Sequence, residues 1–275
     1  MKIIKALCLL SLHMGMLSSV SISSLTDYPT ACKLAAADDQ LFQNFKRNPA
    51  YQPILEHCTY AQGLDYLAFV QKNYPYLLEH MDKYHENDSL GNPVTYSYGE
   101  DYGEFSPTTL RYIKVTGDLI HLFGDLSNKR IAEIGGGYGG QCKVISSISG
   151  FSSYTIFDLP EACSLTRKYL NLLNVNNVDC HSCTSIPEGM TYDILISNYA
   201  FSEISRDEQI GYIQKVINRS KMGYITYNFI SNIFGINSLT LDEVKSLIQI
   251  PNRKVELLPE EPSTSESVIL VWQEQ

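Results

Sequence analysis

The stretch Glu133-Ile-Gly-Gly-Gly-Tyr-Gly-Gly140 sets a carboxylate two residues ahead of a glycine-rich turn. Gly135-x-Gly137-x-x-Gly140 is a spacing at which a strand turns sharply into a helix and offers main-chain N–H groups to a ligand. Glycines at 135, 136 and 137 let the ligand approach without a Cβ in the way. That spacing alone admits a dinucleotide such as NAD. Glu133 argues for another ligand, because a carboxylate at the strand end repels a diphosphate and suits a cation. S-adenosylmethionine carries an ammonium and a sulfonium and no phosphate, so it fits this pattern better. Asp158 ends the next predicted strand, where an acidic side chain accepts hydrogen bonds from both ribose hydroxyls of either nucleoside. Its other reading is a cap on the helix starting at Pro160.

A third group follows the strand predicted at 192–197. In Ser197-Asn-Tyr-Ala-Phe-Ser-Glu203, Asn198 is placed to bond the donor or acceptor, Tyr199 to stack on it, and Glu203 to act as a general base or substrate anchor. The bland reading packs Phe201 and leaves Glu203 solvated. Methyl transfer is an in-line displacement for which the protein chiefly aligns the reacting atoms. A hydroxyl acceptor also needs its proton removed. Glu203 is the first candidate base, followed by Glu104 and His121. His121 sits in an apolar helical pattern, which equally reads as a packed core position. A magnesium ion held by carboxylates is an alternative, but no ligand spacing demands it.

The elements that must position these groups alternate from residue 129 onward. Strands are predicted at 130–134, 154–158, 178–183, 192–197 and 223–227, with helices at 139–149, 160–173 and 205–218. Capping boxes open helices at Ser205-x-x-Glu208 and Thr240-x-x-Glu243. Such alternation predicts a largely parallel sheet with helices on both faces. Strands at 254–258 and 268–272 have no helix between them and should form an antiparallel hairpin at the sheet edge. That ending departs from a plain dinucleotide-binding fold. Residues 24–90 read as helical. Leu64, Leu67 and Ala68 suggest one buried face, and Leu77, Leu78 and Met81 another. Residues 88–108 read as a long loop, and 109–123 as a helix.

These motifs together resemble a known family. Ile131-Ala-Glu-Ile-Gly-Gly-Gly-Tyr-Gly-Gly-Gln141, Phe157-Asp-Leu-Pro160 and Ser197–Glu203 are similar to the class I methyltransferase motifs of the sugar O-methyltransferase family. Asn87–Pro93, Ser106–Lys114 and Leu258-Pro-Glu-Glu-Pro262 extend the resemblance over roughly residues 40–273. It implies a Rossmann-like class I methyltransferase sheet, α/β and mostly parallel, with a C-terminal antiparallel hairpin and a preceding helical segment. It further implies that Gly135, Gly136 and Gly137 cradle the methionine end of S-adenosylmethionine and that Glu133 meets its ammonium. Asp158 would hold the ribose, Leu159 would cover the adenine, and Asn198 would border the donor. The 88–112 segment would meet a sugar or nucleotide-sugar acceptor through Glu104, Ser106, Thr108, Arg111 and Tyr112, with Tyr199 opposite. Arg111 suits a carboxylate or phosphate clamp, or an ordinary ion pair. Two rival readings stay open: an NAD-dependent oxidoreductase, and a non-catalytic nucleoside-binding module.

Composition bounds these readings. The chain has 275 residues and a net charge of −9, with no Lys/Arg run, so it lacks the electrostatic footprint of a nucleic-acid binder. The expected division is 1–23 as a signal peptide, 24–108 as helical segment and substrate loop, and 109–275 as the cofactor-binding domain. Lys2, Lys5, an apolar stretch and Ser19-Val-Ser21 carry the leader reading. The stretch is too short for a membrane span, and no later segment looks transmembrane. Export sits awkwardly with S-adenosylmethionine, a cytosolic metabolite. Of 7 cysteines, Cys142 and Cys163 read as small core hydrophobes, and Cys180-His-Ser-Cys183 lacks a second pair to make a zinc site. Asn87-Asp-Ser89 and Asn218-Arg-Ser220 fit the glycosylation pattern.

Overall fold

A computed structural model describes residues 21–250, 254–263 and 266–273. Most of the expected leader lies outside the described residues. Its last residues do not: Ser21 bridges Ile204, and the buried Ile22 donates its N–H to the Glu203 carbonyl at 3.2 Å.

The helical segment opens with α1 (Tyr28–Ala37) and continues through short turns to α2 (Tyr60–Asn73). Thr59 and Gln62 cap α2 reciprocally, Gln62 N–H to Thr59 Oγ1 at 3.3 Å and Thr59 N–H to Gln62 Oε1 at 2.9 Å. The buried face of α2 is Gly63, Tyr66, Leu67 and Val70. Leu64 is exposed and so is Ala68, which corrects the face expected from sequence. Tyr66 and Val70 set the stripe, and Leu64 falls to its side.

α3 (Pro107–Phe123) links the helical segment to the sheet. Ser106 caps it, accepting from Thr109 N–H at 3.1 Å, and Pro107 fills the first turn where its missing N–H does no harm. The preceding loop holds only a two-residue pairing, Tyr96–Ser97 with Glu104–Phe105.

The sheet follows as β1 (Arg130–Ile134), β2 (Ser153–Asp158), β3 (Val178–Ser182), β4 (Tyr192–Asn198), β5 (Ser220–Tyr227), β6 (Glu256–Pro259) and β7 (Val268–Trp272). The helices between are α4 (Gly140–Ile148), α5 (Pro160–Leu172), α6 (Arg206–Lys215) and α7 (Leu241–Leu247). Strand order is β3-β2-β1-β4-β5-β7-β6. A dinucleotide-binding sheet runs 3-2-1-4-5-6. Here a seventh strand inserts between the fifth and sixth and runs antiparallel to both. The expected fold class is thus the observed one: α/β with a Rossmann-like sheet, mostly parallel, ending in an antiparallel hairpin and preceded by a helical segment. Trp272 of β7 lies over Gly223 of β5, where a Cβ would meet the indole at 2.1 Å.

Successive residues of a strand face opposite sides. Ile131, Ile156, Ile194 and Ile196 join one apolar cluster with Phe45, Tyr138 and Tyr169. Ala132, Phe157, Leu195 and Ile225 join a second on the other face. The helical segment therefore shares the core on one side of the sheet. A buried polar network fastens it there. Lys46 Nζ donates to the Asn87 carbonyl at 2.6 Å and sits over the Tyr138 ring at 4.4 Å. Tyr169 donates to the same carbonyl at 2.7 Å, and Asn87 Nδ2 donates to Thr109 Oγ1 at 2.7 Å. Asn87 is fully buried, so its glycosylation pattern is not an acceptor site in the folded chain.

Candidate functional site

The glycine turn closes β1 onto α4. Gly135 (φ 76°), Gly137 (φ 58°) and Gly139 (φ 90°) lie in the left-handed region, which disfavours any residue with a Cβ. The turn is also crowded. A Cβ at Gly135 would meet Ala200 Cβ at 2.0 Å, and one at Gly137 would meet Leu55 Cδ1 at 2.5 Å. Leu55 ends the one-turn helix Gln52–Leu55, so the helical segment lies directly on the turn.

Glu133 projects from β1 beneath this turn. A Cβ on Gly136 would stand 3.0 Å from Glu133 Oε2. The same oxygen accepts from Tyr154 Oη at 2.9 Å. No ion pair among the described residues involves Glu133. Burial pushes its carboxyl up to about 8; the Tyr154 bond opposes that and Asp158 adds to it.

Asp158, at the tip of β2, is half-buried. It accepts Gly137 N–H at 2.8 Å on Oδ2 and Leu159 N–H at 2.7 Å on Oδ1. The carboxylate thus fixes the glycine turn from the next strand. An ionised carboxylate has about four acceptor positions, so each oxygen keeps one for a ribose hydroxyl. Burial pushes Asp158 up to about 6, against the two backbone bonds. Leu159 is half-buried beside it.

Beyond β4, Tyr199 is held at φ 69°, an uncommon conformation for a non-glycine residue. The twist turns its ring toward Arg111, whose guanidinium lies 5.6 Å from the ring centre, and its hydroxyl bonds to Glu260. Asn198 Nδ2 reaches Gln141 Oε1 at 3.5 Å, which marks the edge of a hydrogen bond. Glu203 ends the short helix Ala200–Glu203 and is half-buried. Its Oε1 accepts from Asn228 Nδ2 at 2.6 Å. Burial pushes Glu203 up to about 6, moderated by Asn228 and by Arg111. Glu203 is therefore not the solvated residue of the bland reading.

The other candidates separate. Arg111 and Tyr112 are buried on the first turns of α3, with Tyr112 against Gly140. Thr108 is buried and donates to the Leu55 carbonyl at 3.3 Å. Ser106 is occupied as the α3 cap and by Asp88, to which it donates at 2.8 Å. Glu104 is exposed, and its side chain is met by Thr95 at 3.4 Å within the same hairpin. His121 is exposed near the far end of α3, beside Tyr74, and is neither a core histidine nor near the α3 N-terminus. At about 1.5 Å per residue, α3 carries His121 well over 10 Å from Arg111. Neither Glu104 nor His121 joins Glu203.

Two residues without a role in the sequence reading do join. Glu56 follows Leu55, its Oε1 is buried without a partner, and burial pushes it up to about 7. Glu260 anchors Tyr199. The Leu-Pro-Glu-Glu-Pro run signalled the second; nothing in the sequence around Glu56 signalled the first. No three His, Cys, Asp or Glu side chains converge as metal ligands among the described residues, so the donors for a magnesium ion are not assembled there. The six described cysteines are free thiols.

No protein-family model matches the chain, and no curated protein matches it in sequence. Solved structures similar to it include the pyocyanin biosynthetic protein PhzM (13% identity, 62% of this chain and 58% of that one, TM-score 0.43). Mitomycin 7-O-methyltransferase MmcR is 16% identical over 62% of this chain and 57% of its own, with a TM-score of 0.42. An S-adenosylmethionine-dependent methyltransferase from Clostridium acetobutylicum is 9% identical over 57% of this chain and 88% of its own, at 0.46. The chain spans less than two thirds of the length of the first two. At these scores the likenesses add nothing to the chemistry, which rests on the site itself.

Proposed function

We propose that the chain is an S-adenosylmethionine-dependent O-methyltransferase acting on a hydroxyl of a sugar or sugar-containing small molecule. One observation carries the reading: Glu133 lies buried directly under the glycine turn with no cation paired to it among the described residues. Burial holds that carboxyl largely protonated; an ammonium beside it would let it ionise into an ion pair, whereas a diphosphate on those glycine amides would only oppose its ionisation. The residues fit S-adenosylmethionine in other respects. Gly135 and Gly137 leave no room for a Cβ, and Asp158 keeps acceptor positions for a ribose.

Bound there, S-adenosylmethionine supplies an activated methyl on a sulfonium. The chain's own residues do the rest. Asp158 and the glycine turn fix the nucleoside end, and Glu133 fixes the ammonium. Glu203 takes the proton of the attacking hydroxyl. A carboxyl held near 6 is ionised at neutral pH yet basic enough to accept that proton, close to what general-base catalysis favours.

Isothermal titration separates this reading from its main rival. S-adenosylmethionine is expected to bind and NADH to give no heat. NADH binding with no response to S-adenosylmethionine would overturn it in favour of an oxidoreductase. Export by the N-terminal leader belongs to the same proposal and is tested by mass spectrometry of the mature N-terminus. A leader ending at residue 23 would remove Ser21 and Ile22 from their places beside Ile204 and Glu203.

A further inference from the structure

We infer that Arg111 is the recognition point for a carboxylate on the acceptor, so that the preferred substrate is an acidic sugar and not a neutral or phosphorylated one. The inference rests on the methyltransferase reading and deepens it.

Arg111 is 6% exposed, and its Nε has no hydrogen-bond partner. None of the ion pairs among the described residues includes it. A guanidinium cannot shed its charge, and the nearby carboxyls of Glu56, Glu203 and Glu260 act on it from a distance without an ion-pair contact among the described residues. What surrounds it is aromatic: the ring centres of Tyr112 and Tyr199 both lie 5.6 Å away. Cation–π attraction to these rings holds the guanidinium in place, and the Tyr112 hydroxyl also takes a hydrogen bond from it. The Nε, by contrast, is a preformed donor in want of an acceptor.

Its position is on the acceptor side. Arg111 sits three residues past Thr108, Tyr199 follows the carboxyl end of β4, and the half-buried Glu203 feels the Arg111 charge. A side-on carboxylate matches the planar fork of an arginine with two parallel N–H···O bonds. Phosphate matches it less well here, because Glu56, Glu203 and Glu260 all lie within electrostatic reach of Arg111. A dianionic phosphate would meet three carboxyls, whereas a single negative charge meets the guanidinium with less opposition.

The test uses the full chain with calorimetry of D-glucuronate, D-glucose and D-glucose 1-phosphate, each with and without saturating S-adenosylhomocysteine. Glucuronate is expected to bind at least tenfold more tightly than the other two, and R111Q to abolish that preference. R111K, which keeps the charge but loses the fork, should retain only part of it and guards against a folding defect in R111Q. Equal affinities for glucuronate and glucose, or an unchanged preference in R111Q, would overturn the inference, and tighter binding of the phosphate would overturn the choice of carboxylate. Failure of S-adenosylhomocysteine to bind would instead strike the methyltransferase reading, while the titrations without it still report on Arg111.

Discussion

The two sides of the site are built in different ways. On the proposed nucleoside side, between β1 and β2, the work is done by main chain and by residues close in sequence: a glycine turn, one carboxyl beneath it and one beside it. On the proposed acceptor side, Arg111, Tyr199, Glu203, Glu56 and Glu260 come from four separate places along the chain. The first kind of site depends on backbone shape and tolerates little change. The second depends on how the helical segment sits on the sheet, and individual side chains there should tune substrate choice and rate.

The largest effect should fall on the acceptor side. Glu203→Gln is expected to lower kcat by about 10²–10⁴, the range for loss of a general base, with S-adenosylmethionine affinity unchanged by calorimetry. A loss of cofactor binding would instead merge the two sides. Next comes the turn itself. Gly135→Ala drives a Cβ into Ala200 at 2.0 Å from a backbone at φ 76°. It should destabilise the chain by roughly 2 kcal/mol or more and remove cofactor binding, read by thermal melts and titration.

A smaller and pH-dependent effect belongs to Glu133. Its folded value of about 8 lies above its ordinary 4.5, so the folded chain holds a proton that the unfolded chain has lost. Stability from this group is present below about 4.5 and is lost as pH rises through about 8. Asp158 and Glu56, raised to about 6 and about 7, act in the same direction at lower pH. Melts of the free protein should therefore fall from pH 5 to 8, and Glu133→Gln should flatten the part above about pH 7. The smallest effects are expected from Glu104→Gln and His121→Ala. Both positions are exposed, so stability should change by no more than about 0.5 kcal/mol, with labelled-methyl transfer unaltered.

What was legible in the sequence follows the same division. The sheet could be read because β1, β2 and β4 are apolar runs broken by glycine, Pro160 and a capping box, all of them local signals. Glu133 and Asp158 could be read because a strand end fixes where its last side chain points. The α2 face was misplaced because its stripe is marked by Gly63 and Tyr66, which hydrophobicity alone does not single out. Glu104 and His121 looked plausible by residue type, but position along a hairpin and a helix put them in solvent. In the network of Lys46, Asn87 and Tyr169, one hydrogen bond joins residues 82 positions apart, and no local pattern announces such a contact.

The central claim is that a buried, unpaired Glu133 waits for a cation. At pH 7 a carboxyl near 8 is mostly protonated, and an ammonium beside it should expel that proton. Titration of S-adenosylmethionine in buffers of different ionisation enthalpy should therefore show release of close to one proton in the wild-type chain and almost none in Glu133→Gln, which should bind about tenfold more weakly, a difference of about 1.4 kcal/mol. Equal proton release and equal affinity in the two proteins would contradict the account.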